Sequence, residues 1–393
     1  MNFVKSLLKT SVLVLSFAVL LIFKFIQPVI RFQLCVVGFH RYGHLALEPE
    51  IFLAEREIAE KKNGSKKRLV SIWSLGPPSK QSNTFLASKW KEELLVFPSW
   101  FVGSLHKVGS IFPFLKLDEP KLSITGSTNG LDKTAPHISL SADELVEGKK
   151  RLAEIGIDPG KPYVCLIVRD GGHYKSKGDI ESLGYELLNF DINNFAGVAE
   201  VLIENGFQVI RLGSGTERPF TNKPEGVIDY ALSNYRTEFL DVFLSATCAF
   251  AISTQTGPDA VCMLFRRPVL YVDVTRYGQF FFGSKIATWS PVRLFKNSKL
   301  LNLSEIVNSE VAWFKDPNKF LENGITQQKS SEVELKELTS SYIFSKGLET
   351  ETARRVRSNV SHGLGEKGKH HFGEVSACLA PDAERILGDW VMK

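Results

Sequence analysis

Three short stretches of this 393-residue chain gather residue types able to hold an anion or move a proton. In "AISTQTGPDAV", Ala251 to Val261, a small polar turn joins an apolar run to a second run that reads as a helix from Pro258. Exposed N–H groups and the positive end of a helix dipole at such a turn favour a phosphate. Thr254 and Thr256 add hydroxyls there, and Gly257 lets the backbone come close to a ligand. The same residues also read as a plain helix cap, with Thr256 as the capping residue and Pro258 in the first turn, where proline is accommodated. Spacing alone leaves both readings open.

The second stretch is "HRYGHLALEPE", His40 to Glu50, where a histidine or a carboxylate is placed to take a proton from a hydroxyl. His40, His44 and Glu48 recur every four residues, as ligands on one helix face would, but Gly43 stands between the histidines. With the helix expected to begin at His44 or later, that face is not formed and no metal is expected. A third stretch, "RDGGHYK", sets Arg169 and Asp170 before a Gly171-Gly172 turn, with His173 and Tyr174 as polar contacts. The Asp-Gly-Gly sequence also suits a turn and nothing more. Arg211 ends the run "VIRL" at the same sheet edge as the polar turn, or pairs with Glu217 or Asp229. Arg236 precedes a helix and either faces the ligand or stays on the surface.

The elements that position these residues alternate regularly. "FQLCVVGF" (32–39), a helical pattern over 45–61 and "KRLVSIWSL" (67–75) give an α/β first domain. A loop-rich stretch spotted with proline and glycine runs from Pro113 to Pro136, and a helix capped at Ser139 or Ser141 follows, ending near Gly156. Beyond it, strands at 163–169, 207–213, 248–253 and 268–273 are separated by helices at 193–205, 237–246 and 258–265. This alternation calls for a parallel sheet wrapped by helices. The expected fold is two Rossmann-like doubly wound α/β domains facing a cleft, with ligands beyond the carboxyl ends of the strands. The expected division is 1–31 as a membrane-attached segment, 32–145 and 146–320 as the two α/β domains, and 321–393 as a helical extension and closing segment.

With 44% hydrophobic and 23% charged residues the chain is globular, not disordered. Of its formal charge of +5, four positive charges (Lys5, Lys9, Lys24 and Arg31) lie in the first 31 residues, which hold no acid. The remainder lacks the broad basic field of a nucleic-acid binder, so no nucleic-acid partner is expected. Thr10 to Phe23 is uncharged and apolar, without the small-residue site that ends a signal peptide. It is short for a span, and positive charge on both flanks gives no direction. The expectation is membrane attachment with the body on the cytoplasmic side. Five scattered cysteines, four of them in apolar surroundings, read as reduced buried thiols. The aromatic-rich "ELLVFPSWFVGSLHKVGSIFPFLKL" (93–117) suits a core or a lipid contact.

The layout of "STQTGPDAVCMLFRRPVLYVD" resembles glycosyltransferases of the GT-B fold, the heptosyltransferase-like ones most plainly. From about Arg41 onward the chain resembles a family of bacterial glycosyltransferases of surface-polysaccharide clusters. The residues that carry this are "RYGHLALEPEIFLAE", "VCLIVRDGGHYK", "NFDINNF", "QVIRLGS", "VIDYALSNYRTEFLDVFLSATCAFAISTQTG" and "RRPVLYV". The resemblance implies a nucleotide-sugar donor in the second domain and a glycan or lipid-linked acceptor in the first; the N-terminal segment adds the expectation of a place at the cytoplasmic face of the bacterial inner membrane. Arg211, Gly213, Thr254, Thr256, Gly257 and Asp259 then contact the donor, and Arg41, Gly43, Arg169, His173, Tyr174 and Arg236 contact substrate. His44, Glu50 and Asp170 are the catalytic candidates. In heptosyltransferase-like enzymes an aspartate follows the glycine where His44 stands here. No Asp-x-Asp pair is present to hold a divalent ion, so leaving-group charge is expected to be met by dipoles, hydroxyls and arginines, without a cofactor or metal. Nucleotide-sugar 2-epimerases share the fold and are the rival reading, with an inactive membrane-bound nucleotide-sugar-binding protein as another.

Overall fold

The computed structural model describes residues 2–63, 68–124, 128–172, 187–345, 349–372 and 374–391. The chain divides into two compact units, Met1–Ile124 with His137–Ser139, and Thr125–Pro136 with Leu140–Lys393.

Unit 1 runs α1 (Asn2–Ile26), β1 (Ile30–Val36), α2 (Tyr42–Asn63), β2 (Arg68–Ser74), α3 (Thr84–Glu93) and α4 (Ser99–Ile111). β1 and β2 pair in parallel from Ile30 with Arg68 to Val36 with Ser74. Single parallel bridges, Gln33 to Asp118 and Trp73 to Val96, extend the pair on either side. The class is α/β as expected. The doubly wound sheet expected of this half is not formed, because among the described residues only two regular strands pair and the flanking chain contributes single bridges. The core joins Leu20 of α1 to Leu34, Ile72, Val102, Leu105, Val108, Leu115 and Leu117. A 2.6 Å hydrogen bond between Ser16 and Ser104 ties α1 to α4. Among the described residues no helix is long and apolar enough to cross a membrane.

Proline at position 49 lies inside α2 and cannot donate to the carbonyl of Leu45, four residues back. The indole N–H of Trp90 from α3, fully buried, donates to that carbonyl at 2.8 Å. Trp90→Phe keeps the apolar bulk but strands a buried acceptor, and is expected to cost about 1–3 kcal/mol in urea unfolding. A loss within a few tenths would show that the bond contributes nothing.

Unit 2 begins with α5 (Ala142–Glu154), whose cap at Ser141 is a reciprocal box with Glu144, and the chain turns at Gly156 with φ +87°. Then follow β3 (Tyr163–Ile167), α6 (Ala196–Glu204), β4 (Gln208–Leu212), α7 (Glu238–Thr247), β5 (Phe250–Ser253), α8 (Asp259–Leu264), β6 (Val269–Val274) and β7 (Ala287–Pro291). β8 (Arg293–Lys296), β9 (Lys299–Leu300) and β10 (Ile325–Gln328) form a small antiparallel sheet. β11 (Cys378–Leu379) closes the main sheet, whose six strands run β11-β7-β6-β5-β3-β4, all parallel. The continuous apolar runs of β3 and β6 are buried along their whole length, as strands covered on both faces must be. The chain leaves β3 for β4 on one side and returns to β5 on the other, so the winding reverses between β3 and β5.

The C-terminal stretch belongs to this unit. Helix Glu332–Ser345 packs on α6, with the Glu332 carboxylate accepting from the Gly197 amide at 2.9 Å. Asn129 ties distant segments together. Its amide donates to the carbonyls of Gly283 (2.6 Å) and Glu374 (2.7 Å), and its oxygen accepts from the Glu374 amide (2.9 Å). All five cysteines are unpaired, and four are buried.

Candidate functional site

The reversal between β3 and β5 places the polar turn of 253–258 beside the end of β3, where the Thr254 amide donates to the Ile167 carbonyl at 3.2 Å. The Thr254 hydroxyl oxygen accepts from the Arg169 amide at 3.0 Å, so this side chain splices two strand ends together. Asp259 takes up one of the amides that the anion reading of the turn relied on. Its buried carboxylate accepts from the Ser253 hydroxyl at 2.6 Å and from the Thr256 amide at 2.8 Å. An internal carboxylate thus stands where a ligand phosphate was expected to meet that amide, and α8 itself is only six residues long. Burial pushes the Asp259 carboxyl up to about 7. Gln255, next to Thr254, is held at φ +58°, a strained value for a side chain with a Cβ. Its amide oxygen accepts from the Thr275 amide at 3.2 Å. Residues 255–258, Gly257 among them, remain partly exposed.

Arg211 and Asp170 come together in one buried cluster. Arg211 is fully buried, 3.5 Å from Asp170 and 3.2 Å from Asp229, and donates to the Arg218 carbonyl at 2.6 Å. Asp170 also accepts from the amides of Glu217 (2.9 Å) and Arg218 (3.2 Å). One oxygen of its carboxylate clamps the loop after β4, and the other accepts from the Gly172 amide at 3.2 Å. Asp170, a catalytic candidate, and Arg211, a donor-binding candidate, thus hold the loop after β4. Gly172 presses on that loop, since a Cβ there would lie 2.4 Å from the Gly215 carbonyl oxygen. Gly213 leaves room for the Thr216 methyl, 2.6 Å from where its own Cβ would be. Arg236 pairs with Asp241 at 2.8 Å, the surface alternative weighed for it. His173 and Tyr174 lie outside the described residues.

A group not foreseen gathers around the ends of β3, β5 and β6. Asp273, buried with φ +53°, accepts from the Ser330 amide (3.0 Å) and hydroxyl (2.7 Å). Burial pushes its carboxyl up to about 6. The neighbouring Lys329 ammonium lies 4.1 Å from the centre of the Phe190 ring and donates to the Asn189 carbonyl. Burial lowers its pKa to about 8. The Arg169 guanidinium donates to the Asn189 side chain at 3.2 Å, and the Phe190 amide donates to the Arg169 carbonyl at 2.7 Å. Arg169, Gln255 and Lys329 are thus brought to one region. Strand-end aspartate at 273 was a visible signal, but Ser330 and Lys329 follow it by more than fifty residues.

In unit 1 the end of β1 leads through Gly38 into α2, which starts at Tyr42 and not at His44 as expected. Gly43 is buried inside it, and Arg41 is exposed just before it. His44 and Glu48 therefore do share a helix face, with Nδ1 of His44 2.7 Å from Glu48. The second Glu48 oxygen accepts from the Gly38 amide at 2.7 Å. A neutral imidazole that donates to Glu48 from Nδ1 keeps Nε2 as its acceptor. His44 is about a quarter exposed, whereas Glu50 is wholly buried. Glu50 accepts from the His137 amide (3.2 Å) and faces its Nδ1 (3.1 Å), while His137 Nε2 lies 3.3 Å from Glu57. Glu50, a catalytic candidate, here anchors the 137–139 segment. Among the described residues no group of three or more His, Cys, Asp and Glu is arranged to hold a metal. A surface groove of about 610 Å³ between helix 332–345 and Pro381–Arg385 lies elsewhere, since Tyr342 of that helix packs on Phe250 at the start of β5.

No family model matches the chain, and no curated protein matches it. Solved structures similar to it include ADP-heptose LPS heptosyltransferase II of E. coli, at 12% identity and TM-score 0.42, covering 74% of this chain and 96% of that one. A glycosyl transferase of family 9 from Veillonella parvula matches at 11% identity and TM-score 0.40, covering 64% and 82%. The dodecameric iron-containing heptosyltransferase TibC of E. coli, solved with ADP-D-beta-D-heptose, matches at 14% identity and TM-score 0.30, covering 62% and 58%. The similarity to heptosyltransferases is distant.

Proposed function

We propose that the protein is a metal-independent glycosyltransferase of the GT-B type, moving a sugar from a nucleotide-sugar donor to a glycan or lipid-linked acceptor in bacterial surface-polysaccharide synthesis. The observation that carries this is the gathering of Arg169, Gln255 and Lys329 where the winding of the parallel sheet reverses, the place at which such sheets hold nucleotides. The quoted resemblance of the segments that form these strand ends supports it. Unit 2 takes the donor, with Lys329 and Arg169 meeting the diphosphate in place of the Thr256 amide. Unit 1 takes the acceptor, and His44 removes its hydroxyl proton through Nε2 while Glu48 fixes the tautomer and stabilises the imidazolium that forms. The unpaired cysteines suit a cytoplasmic setting.

Thermal unfolding of the full chain with a panel of nucleoside diphosphates tests the donor site. One of them at a hundred times its dissociation constant is expected to add ~2.7 kcal/mol, an increment lost in Lys329→Met. A panel with no effect overturns the reading. Where a nucleotide binds, His44→Asn is expected to lower transfer about a hundredfold or more with the melting temperature unchanged. Consumption of the nucleotide sugar with no acceptor present would instead assign the epimerase chemistry.

A further inference from the structure

We propose that the outward face of α1, with Trp100, Phe112 and Phe114 beside it, docks one-sidedly on an anionic lipid bilayer while its inward face stays in the core of unit 1. This does not depend on the transferase reading. The helix is divided lengthwise. Leu13, Ser16, Phe17, Leu20 and Phe23 turn inward, where Leu20 is buried and Ser16 bonds Ser104. Val14, Leu15, Ala18, Leu21, Ile22 and Phe25 turn outward at helical spacing, with Ile22 59% and Phe25 87% exposed. Single exposed apolar side chains are ordinary, but a continuous stripe over three turns marks an interaction surface.

The stripe continues beyond α1. Phe112 packs edge-on against Phe17 at 5.1 Å, and Phe114 packs on Phe112. Phe114 is exposed, as are Ile111 and, one face of α4 further along, Trp100. Aromatic side chains of this kind settle at the boundary between headgroups and acyl chains.

Charge selects the occupant. The first 31 residues hold Lys5, Lys9, Lys24 and Arg31 and no acid, and Arg31 pairs with Asp118 at 2.9 Å. A second copy laid against this face would set basic helix against basic helix with no carboxylate on either. Anionic headgroups offset the positive charge of this segment, and a basic, one-sidedly apolar helix lies in the plane of such a surface. A bilayer-crossing arrangement would have to withdraw Leu20 and Ser16 from the core, so the docked helix remains on α4.

Flotation of the full chain with phosphatidylglycerol/phosphatidylethanolamine vesicles and with phosphatidylcholine vesicles tests this. Binding is expected to the anionic vesicles, to weaken with salt, and to fall at least tenfold in Ile22→Glu/Phe25→Glu, with Val333→Glu, an exposed site of unit 2, unaffected. A Ser16→Cys/Ser104→Cys disulfide that locks α1 to α4 is expected to leave binding intact. Loss of binding on forming that disulfide would overturn one-sided docking in favour of a helix that leaves the fold. No flotation, flotation indifferent to Ile22→Glu/Phe25→Glu, or a dimer in sedimentation abolished by that pair in a protein that ignores vesicles would overturn the lipid assignment.

Discussion

Replacing Arg211 by methionine is expected to lower the stability of unit 2 by about 3–5 kcal/mol, the range seen when one partner of a buried ionic cluster is removed. The guanidinium is fully buried between Asp170 and Asp229 and also donates to the Arg218 carbonyl, and methionine supplies similar bulk with none of the charge. Two carboxylates are then left facing each other's field with only amide donors to offset them. Urea unfolding of the variant, followed by fluorescence, reads the change directly. The same experiment separates structure from chemistry: a variant that folds as stably as the parent but loses turnover would return Arg211 to the ligand site. Asp170→Asn is expected to follow Arg211→Met, because its oxygen clamps the Glu217 and Arg218 amides from the same side.

The second large effect is a dependence on pH that runs against the usual acid-denaturation trend. Burial holds Asp259 up at about 7 and Asp273 at about 6, both from the ordinary 3.8, and raises Asp241 in the same direction. Each folded-state pKa lies above its unfolded one, so from pH ~4 to ~7 the native protein keeps protons that the unfolded chain has released. Stability from this source is complete near pH 4 and is lost as pH climbs through 6 and 7. For Asp259 a rise of about three at ~1.4 kcal/mol each gives roughly 4 kcal/mol. Carboxylates with lowered pKa, such as Asp191 and Glu334, lose their contribution as pH falls through and below the ordinary carboxyl range, so the interval from 5 to 7.5 isolates the buried aspartates. Urea midpoints across that interval are expected to fall with pH in the parent and to fall less in Asp259→Asn. A flat or rising profile would show that both carboxyls are ionised in the native state.

The strands were legible because they are covered on both faces and so read as unbroken apolar runs: Tyr163–Ile167 and Val269–Val274 fall within a residue or two of expectation. The helix after Ser141 was legible for a different reason, since a capping box and a left-handed glycine are local signals at each end. The pairing of Arg211 with Asp229 was one of two readings open to the sequence, and burial decided it. What stayed hidden depends on how the backbone turns. Asp259 reaches back to Thr256 only because the turn folds under it, and the left-handed Gln255 is not a residue type that announces such a conformation. Likewise Asp273 and Ser330 meet across 57 residues of intervening chain. The aromatic-rich stretch was ambiguous because it has two faces: Val102, Leu105 and Val108 are core, and Trp100, Ile111 and Phe114 are exposed.

The bonds of Asn129 have a consequence for biogenesis. Its amide group closes on Gly283, Glu374 and Ser376, so this side chain near the beginning of unit 2 meets partners 154, 245 and 247 positions later. Contacts of such sequence separation form late and slowly. During translation, the nascent sheet must wait with its β7 edge open until the ribosome has released β11, and that interval is when a growing chain is most exposed to association with others and to chaperones.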